Sequence, residues 1–198
     1  MTLTGASNPV ESAIFKAMID RGADQRFSVI GFEGACHGDS LVFAQFAHPK
    51  YSVSLGWPVI AYPSSQAEAE QSLSAVKQAL DERRAAGNPV AAIVVEPTNQ
   101  SHGHVAPNDF ISQLHSLARD YDAALIVDEQ NTGCGASGQG FWQYSGPADF
   151  VAFGKRTQVS GYFSAHSEES NYHVGDSELK LAQFSVIKNA IEKDGLIE

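Results

Sequence analysis

The chain has 198 residues, 43% of them hydrophobic, which can fill a sizeable core in one large or two small domains. A formal net charge of −10, with no basic cluster to offset it, argues against a nucleic-acid surface. Cys36 and Cys134 cannot build a disulfide framework, no apolar run approaches the roughly 20 residues of a membrane span, and no signal or transit pattern opens the sequence, so a soluble cytoplasmic protein is expected.

The chain opens with Thr4-Gly5-Ala6-Ser7-Asn8-Pro9, followed by Val10, Ala13, Ile14, Ala17 and Met18 at helical spacing as far as Gly22. Small and polar residues ahead of a first-turn proline predict a helix start, and its free N–H groups can receive a phosphate. Arg26 to Phe32 reads as a strand, and Glu33-Gly34-Ala35-Cys36-His37-Gly38 as the loop after it. Leu41 to Pro63 is irregular, with a short apolar strand at Val59 to Ala61. Ser64 to Ala86 is an amphipathic helix: Ala69, Leu73, Val76 and Leu80 form its stripe, and Gly87-Asn88-Pro89 ends it.

Val90 to Val95 is an unbroken apolar run stopped by Glu96-Pro97, the pattern of a strand buried on both faces of a parallel sheet. His102 and His104, one residue apart, supply only half of a metal site, and no metal is expected. Pro107 to Tyr121 reads as a helix, with proline in its first turn and Phe110, Leu114, Leu117, Ala118 and Tyr121 on one side. It returns the chain to a second buried strand, Ala123 to Val127, completing a β-α-β crossover expected to be right-handed.

That strand stops at Asp128-Glu129, and a third apolar strand, Phe150 to Phe153, stops at Gly154-Lys155. Open α/β sheets place ligands at the carboxyl ends of their strands, and no long helical pattern separates the two segments, so Asp128 and Lys155 can meet over one crevice. A lysine desolvated there condenses readily with an aldehyde. A buried aspartate facing it can keep a pyridinium nitrogen protonated. Pyridoxal 5′-phosphate (PLP) needs both groups; the alternative reading is a loop acid and a solvated surface lysine. Glu129 reads as a turn acid. Gly133-x-Gly135-x-x-Gly138 fits the dinucleotide fingerprint as a string, but Asp128 to Thr132 intervene after the strand and no helix pattern follows, which argues against a nicotinamide or flavin site. Gly161-Tyr162-Phe163 reads as a short strand, and Glu178 to Lys193 as a final helix closed by Gly195.

VDEQNTGCGASGQGFW followed by DFVAFGKRTQVSG resembles the subgroup III aminotransferases, whose members read D-E-V-Q-T-G-x-G-x-T-G and then F-G/S-K-K. Within that family the chain is most similar to lysine ε-aminotransferases, then to 4-aminobutyrate aminotransferases. The resemblance implies an α/β fold with a mostly parallel sheet and flanking helices. Residues 1–198 would form an incomplete PLP-transferase large domain without the small C-terminal domain. It implies Lys155 as the lysine that forms the imine with PLP and Asp128 as partner of the pyridine nitrogen. Gly5, Ala6 and Ser7 would lie at the phosphate, and Cys36 where an aromatic ring normally stacks, with His37 beside it. Glu96 would stand beside the active site and Asn131 near the cofactor's phenolic oxygen. The implied reaction moves an amino group from an ω-amino acid of lysine or 4-aminobutyrate type to a 2-oxo acid, in a homodimer without nucleic-acid or membrane partners. Cys36, Ser101 and Tyr172 depart from the family's pattern, and with the missing domain they suggest the alternative, a catalytically inactive remnant acting as a binding or oligomerisation partner.

Overall fold

The computed structural model describes residues 1–4, 8–22, 27–47, 54–138, 140–165 and 178–193. Its strands are β1 (Thr2–Leu3), β2 (Ser28–Phe32), β3 (Val59–Ile60), β4 (Val90–Val95), β5 (Ala124–Asp128), β6 (Phe150–Phe153) and β7 (Gly161–Ser164). The helices are α1 (Pro9–Asp20), α2 (Ala44–Ala47), α3 (Gln66–Ala85), α4 (Phe110–Asp120) and α5 (Glu178–Lys193). The strands form one sheet in the order β1-β7-β6-β5-β4-β2-β3. Strands β2 to β6 run parallel, whereas β7 is antiparallel to β6 and β1 antiparallel to β7. This is the expected α/β architecture with a mostly parallel sheet.

Both faces of the central strands are covered, which is why β4 and β5 read as continuous apolar runs rather than alternating ones. Ile93, Val95, Leu125 and Val127 pack against Ala69, Val76 and Leu80 of α3 and Phe110, Leu114 and Ala118 of α4. Ala92, Val94, Ala124 and Ile126 face the other way, onto Val10, Ala13, Ile14 and Ala17 of α1. Each large aliphatic chain buried here contributes roughly 1.5–3 kcal/mol. The strand period puts Asp128 on the same face as Ala124 and Ile126, the side covered by α1.

The helix ends follow from local chemistry. Asn8 caps α1, its Oδ1 accepting from the Val10 and Glu11 N–H groups at 2.8 and 3.2 Å, with Pro9 in the first turn. Ser65 caps α3 while the Glu68 carboxylate reaches back to the Ser64 N–H at 2.7 Å. Helix α4 starts at Phe110, three residues after the predicted proline, because Asp109 is left-handed (φ 63°) and cannot continue a helix from Pro107. The short β1 and α2 have no periodic signature and were not predicted. Gly161 lets β1 dock: a β-carbon there would lie 2.4 Å from the Thr2 carbonyl oxygen and 2.8 Å from the Phe153 ring.

Candidate active site

Strand β5 ends one residue later than predicted, so Asp128 belongs to the ladder and pairs in register with Ala152 of β6. Its backbone is therefore fixed, and its carboxylate is almost wholly buried (1% exposed). Three donors satisfy it. The Gln130 N–H reaches Oδ1 at 3.0 Å, and Oδ2 accepts from His37 Nδ1 at 2.8 Å and from Gln130 Nε2 at 3.2 Å. A carboxylate only accepts, so His37 Nδ1 is the donor of this bond and Nε2, the other ring nitrogen, faces away from it. That Nε2 is buried without a partner among the described residues, with the imidazole edge-on to Phe43 and Phe46 at 5.5 and 6.0 Å. The sequence places His37 beside Cys36 at the cofactor; the structure sets its ring, 0% exposed, behind Asp128. Asn8 reaches the same loop, donating Nδ2 to the His37 carbonyl oxygen at 2.6 Å.

Lys155 follows β6 through Gly154 and opens a single 3-10 turn, Lys155–Thr157. The expected desolvation is not found, because Lys155 stands at the open end of the strand and is exposed. Its backbone is left-handed, φ 51°, a conformation that costs a non-glycine residue roughly 1–2 kcal/mol and collects at functional sites. Its ammonium donates to Asn131 Oδ1. Asn131 in turn donates Nδ2 to Gln100 Oε1 at 2.6 Å and to Glu96 Oε1 at 3.3 Å. Glu96, at the end of β4, is buried, and its Oε2 accepts the Cys36 and Gln100 N–H groups, both at 3.3 Å. Burial pushes the Glu96 carboxyl above its ordinary value; His37 opposes that shift and Asp128 adds to it. Groups delivered by β2, β4, β5 and β6 thus converge at the carboxyl edge of the sheet, beside β2, the strand from which the chain turns outward to β3 and later inward to β4.

Glu129 is a turn acid, as expected, but a buried one. It accepts the Thr132 hydroxyl and, through Oε1, the Tyr144 N–H at 2.7 Å, so it ties the glycine turn to the segment after it. Burial raises its pKa above the ordinary value. Within that turn the Cys134 thiol is pushed up to about 12 by burial, with Glu129 adding to the effect, which removes it as a nucleophile. No helix opens at Gly133 to Gly138, so the dinucleotide fingerprint lacks the helix N-terminus it requires. The His102 and His104 rings lie 5.8 Å apart, and among the described residues no three His, Cys, Asp or Glu side chains gather as a metal site. Gly5, Ala6, Ser7 and Tyr172 lie outside the described residues. Sequence reasoning passed over Gln130 and Gln100, each a polar neighbour of a strand-end acid, and Asn8, whose signal was the Asn-Pro pair opening α1.

The family model for class-III aminotransferases matches residues 1–175. The chain belongs to the class-III aminotransferase family. A probable mitochondrial 4-aminobutyrate aminotransferase of Caenorhabditis elegans is 31% identical over 199 aligned positions, covering 86% of this chain and 41% of that protein. The L-lysine-epsilon aminotransferase of Mycobacterium bovis is 33% identical over 149 positions, covering 67% of this chain and 33% of that protein. The chain therefore spans less than half the length of these curated relatives. Among solved structures, the lysine aminotransferase of M. tuberculosis superposes with a TM-score of 0.80 at 24% identity, covering 100% of this chain and 54% of that one. At that identity the likeness speaks for the fold. Class-III aminotransferases are PLP-dependent, and amino donors and 2-oxo acids are the family's substrates. No helix among the described residues is long and apolar enough to cross a membrane.

Proposed function

We propose that the chain carries the PLP-binding core of an aminotransferase that moves an amino group from an ω-amino acid of lysine or 4-aminobutyrate type to a 2-oxo acid. The observation that carries this reading is the placing of a buried carboxylate, Asp128, and an exposed primary amine, Lys155, at the carboxyl ends of neighbouring parallel strands. The donor set fits the cofactor: an acid for a ring nitrogen, an amine for an aldehyde, and a buried Thr4 hydroxyl, without a partner among the described residues, just before Gly5-Ala6-Ser7, the proposed phosphate loop. PLP, when bound, supplies an aldehyde that condenses with amines and a ring that stores an electron pair.

The chain's own groups then have separate tasks. Asp128, oriented by His37 Nδ1, would hold a proton on the ring nitrogen. Lys155, whose ammonium donates to Asn131 Oδ1, would bind the cofactor's aldehyde and, once free, serve as the general base and acid for the substrate's proton. Glu96 anchors Asn131 and the Cys36 backbone, so its place is to position both. Cys36 covers far less of a ring face than an aromatic side chain, which lowers the expected cofactor affinity. A cytoplasmic homodimer is the assembly that goes with this reading.

The test is direct. Adding PLP to the full chain should give a visible absorption band, and borohydride reduction followed by peptide mapping should place a stable pyridoxyl label on Lys155. Lys155→Ala should lose both the label and amino transfer. An equally active Lys155→Ala variant, or a label spread over other lysines, would overturn the assignment.

A further inference from the structure

Gln130 lies between the two groups on which the proposed function rests. Its Nε2 donates to Asp128 Oδ2 at 3.2 Å, while its Oε1 lies 3.5 Å from the place a β-carbon at Gly154 would take, the residue before Lys155. One amide therefore spans the gap from the end of β5 to the end of β6. Asp128 Oδ2 already accepts from His37 Nδ1, so with Gln130 both of its lone pairs are taken. Oδ1 holds the Gln130 backbone N–H, and the carboxylate is only 1% exposed. Oδ1 keeps one lone pair, but an incoming N–H directed at Oδ2 has to displace a donor already there. The His37 bond is buried on every side, and the Gln130 N–H is fixed by the chain. The Gln130 amide, half-buried and on a flexible stem, is the donor that can leave.

We infer that the Gln130 side chain is a polar plug for the ring-nitrogen subsite: it occupies Asp128 Oδ2 in the free chain, is displaced when a protonated pyridine binds, and so sets the affinity for that ring. This rests on the PLP reading above, and it deepens that reading by naming the residue that tunes the site. Removing the amide frees one acceptor on a buried carboxylate. The ligand then no longer replaces an existing charge-assisted hydrogen bond, a difference on the scale of about tenfold in affinity. The gain is confined to ligands with a ring nitrogen.

Two probes separate this from a general loosening of the pocket. Pyridoxine 5′-phosphate keeps ring nitrogen and phosphate but has no aldehyde for Lys155; benzyl phosphate keeps an aromatic ring and phosphate without the nitrogen. Gln130→Val, the residue the family's motif carries at that place, should bind pyridoxine 5′-phosphate about tenfold more tightly than the parent chain, with benzyl phosphate unchanged. Gln130→Ala serves in its place should the valine variant not fold, as judged by its thermal transition. No gain, a loss, or an equal gain for both probes would overturn the plug. PLP labelling of Lys155 in the parent chain distinguishes the two failures: a label with no selective gain sinks only the plug, whereas no label and no pyridoxine phosphate binding sinks the functional reading and the plug with it.

Discussion

The two edges of the sheet handle charge in opposite ways. At the amino-terminal edge Arg21, His115, Arg119, Asp122 and Asp149 surround a cavity of about 580 Å³, and His115 Nε2 stands 3.7 Å from Asp149 Oδ2. At the carboxyl edge Asp128, Glu96 and Glu129 are each at most 2% exposed, and each is held by protein donors. Arg119 and Asp122 are exposed there, and a solvated charge costs little to place. A carboxylate taken out of water costs several kcal/mol before its partners repay any of it, so three of them at one edge, at the ends of β4 and β5, point to a use other than stability. Burial of acid, not the size of a cavity, is the ground for the proposed site.

The strongest way to break this contrast is Asp128→Ala. It leaves the buried His37 ring with neither nitrogen partnered, and should lower the unfolding free energy by about 3 kcal/mol in urea titration while abolishing PLP uptake. The matched change at the other edge is Asp149→Ala, which removes the acceptor for the Leu125 N–H at 2.8 Å. It should cost about 1–2 kcal/mol in the same titration and leave PLP uptake unaltered. If the two variants exchanged effects on uptake, the chemistry would sit at the wrong edge. The smallest effect concerns pH. Burial holds the Glu129 pKa above its unfolded value, so its contribution to stability is fully present below the ordinary carboxylate range and is lost as pH rises through the raised value. Glu129→Gln can keep the Tyr144 contact, and the Thr132 hydroxyl can turn to accept. As pH rises from the ordinary carboxylate range, the parent chain should therefore lose more thermal stability than this variant; parallel slopes in a melting series would refute it.

The sheet was legible wherever burial on both faces wrote an unbroken apolar run. Val90 to Val95 and Phe150 to Phe153 were predicted to the residue, and so was the final helix, Glu178 to Lys193. Legibility failed where position depends on partners far along the chain. The bond from His37 to Asp128 joins residues 91 apart, and nothing in the local spacing of either announces it. The left-handed turn at Asp109 left no apolar trace, so Pro107 was taken as the start of α4. In the site, Asp128 and Lys155 were visible as strand-end punctuation. The exposure of Lys155 and the bridging position of Gln130 depend on how two strand ends sit side by side, which no single segment encodes.

The glycine against which the first strand docks has a consequence for self-association. Any side chain at position 161 would collide with the Thr2 carbonyl oxygen and unseat Thr2–Leu3 from β7. The outer N–H and C=O groups of β7 would then stand bare, a template onto which a strand of another molecule could hydrogen-bond and spread. One missing methyl group thus separates a sheet capped by its own chain from one open to aggregation.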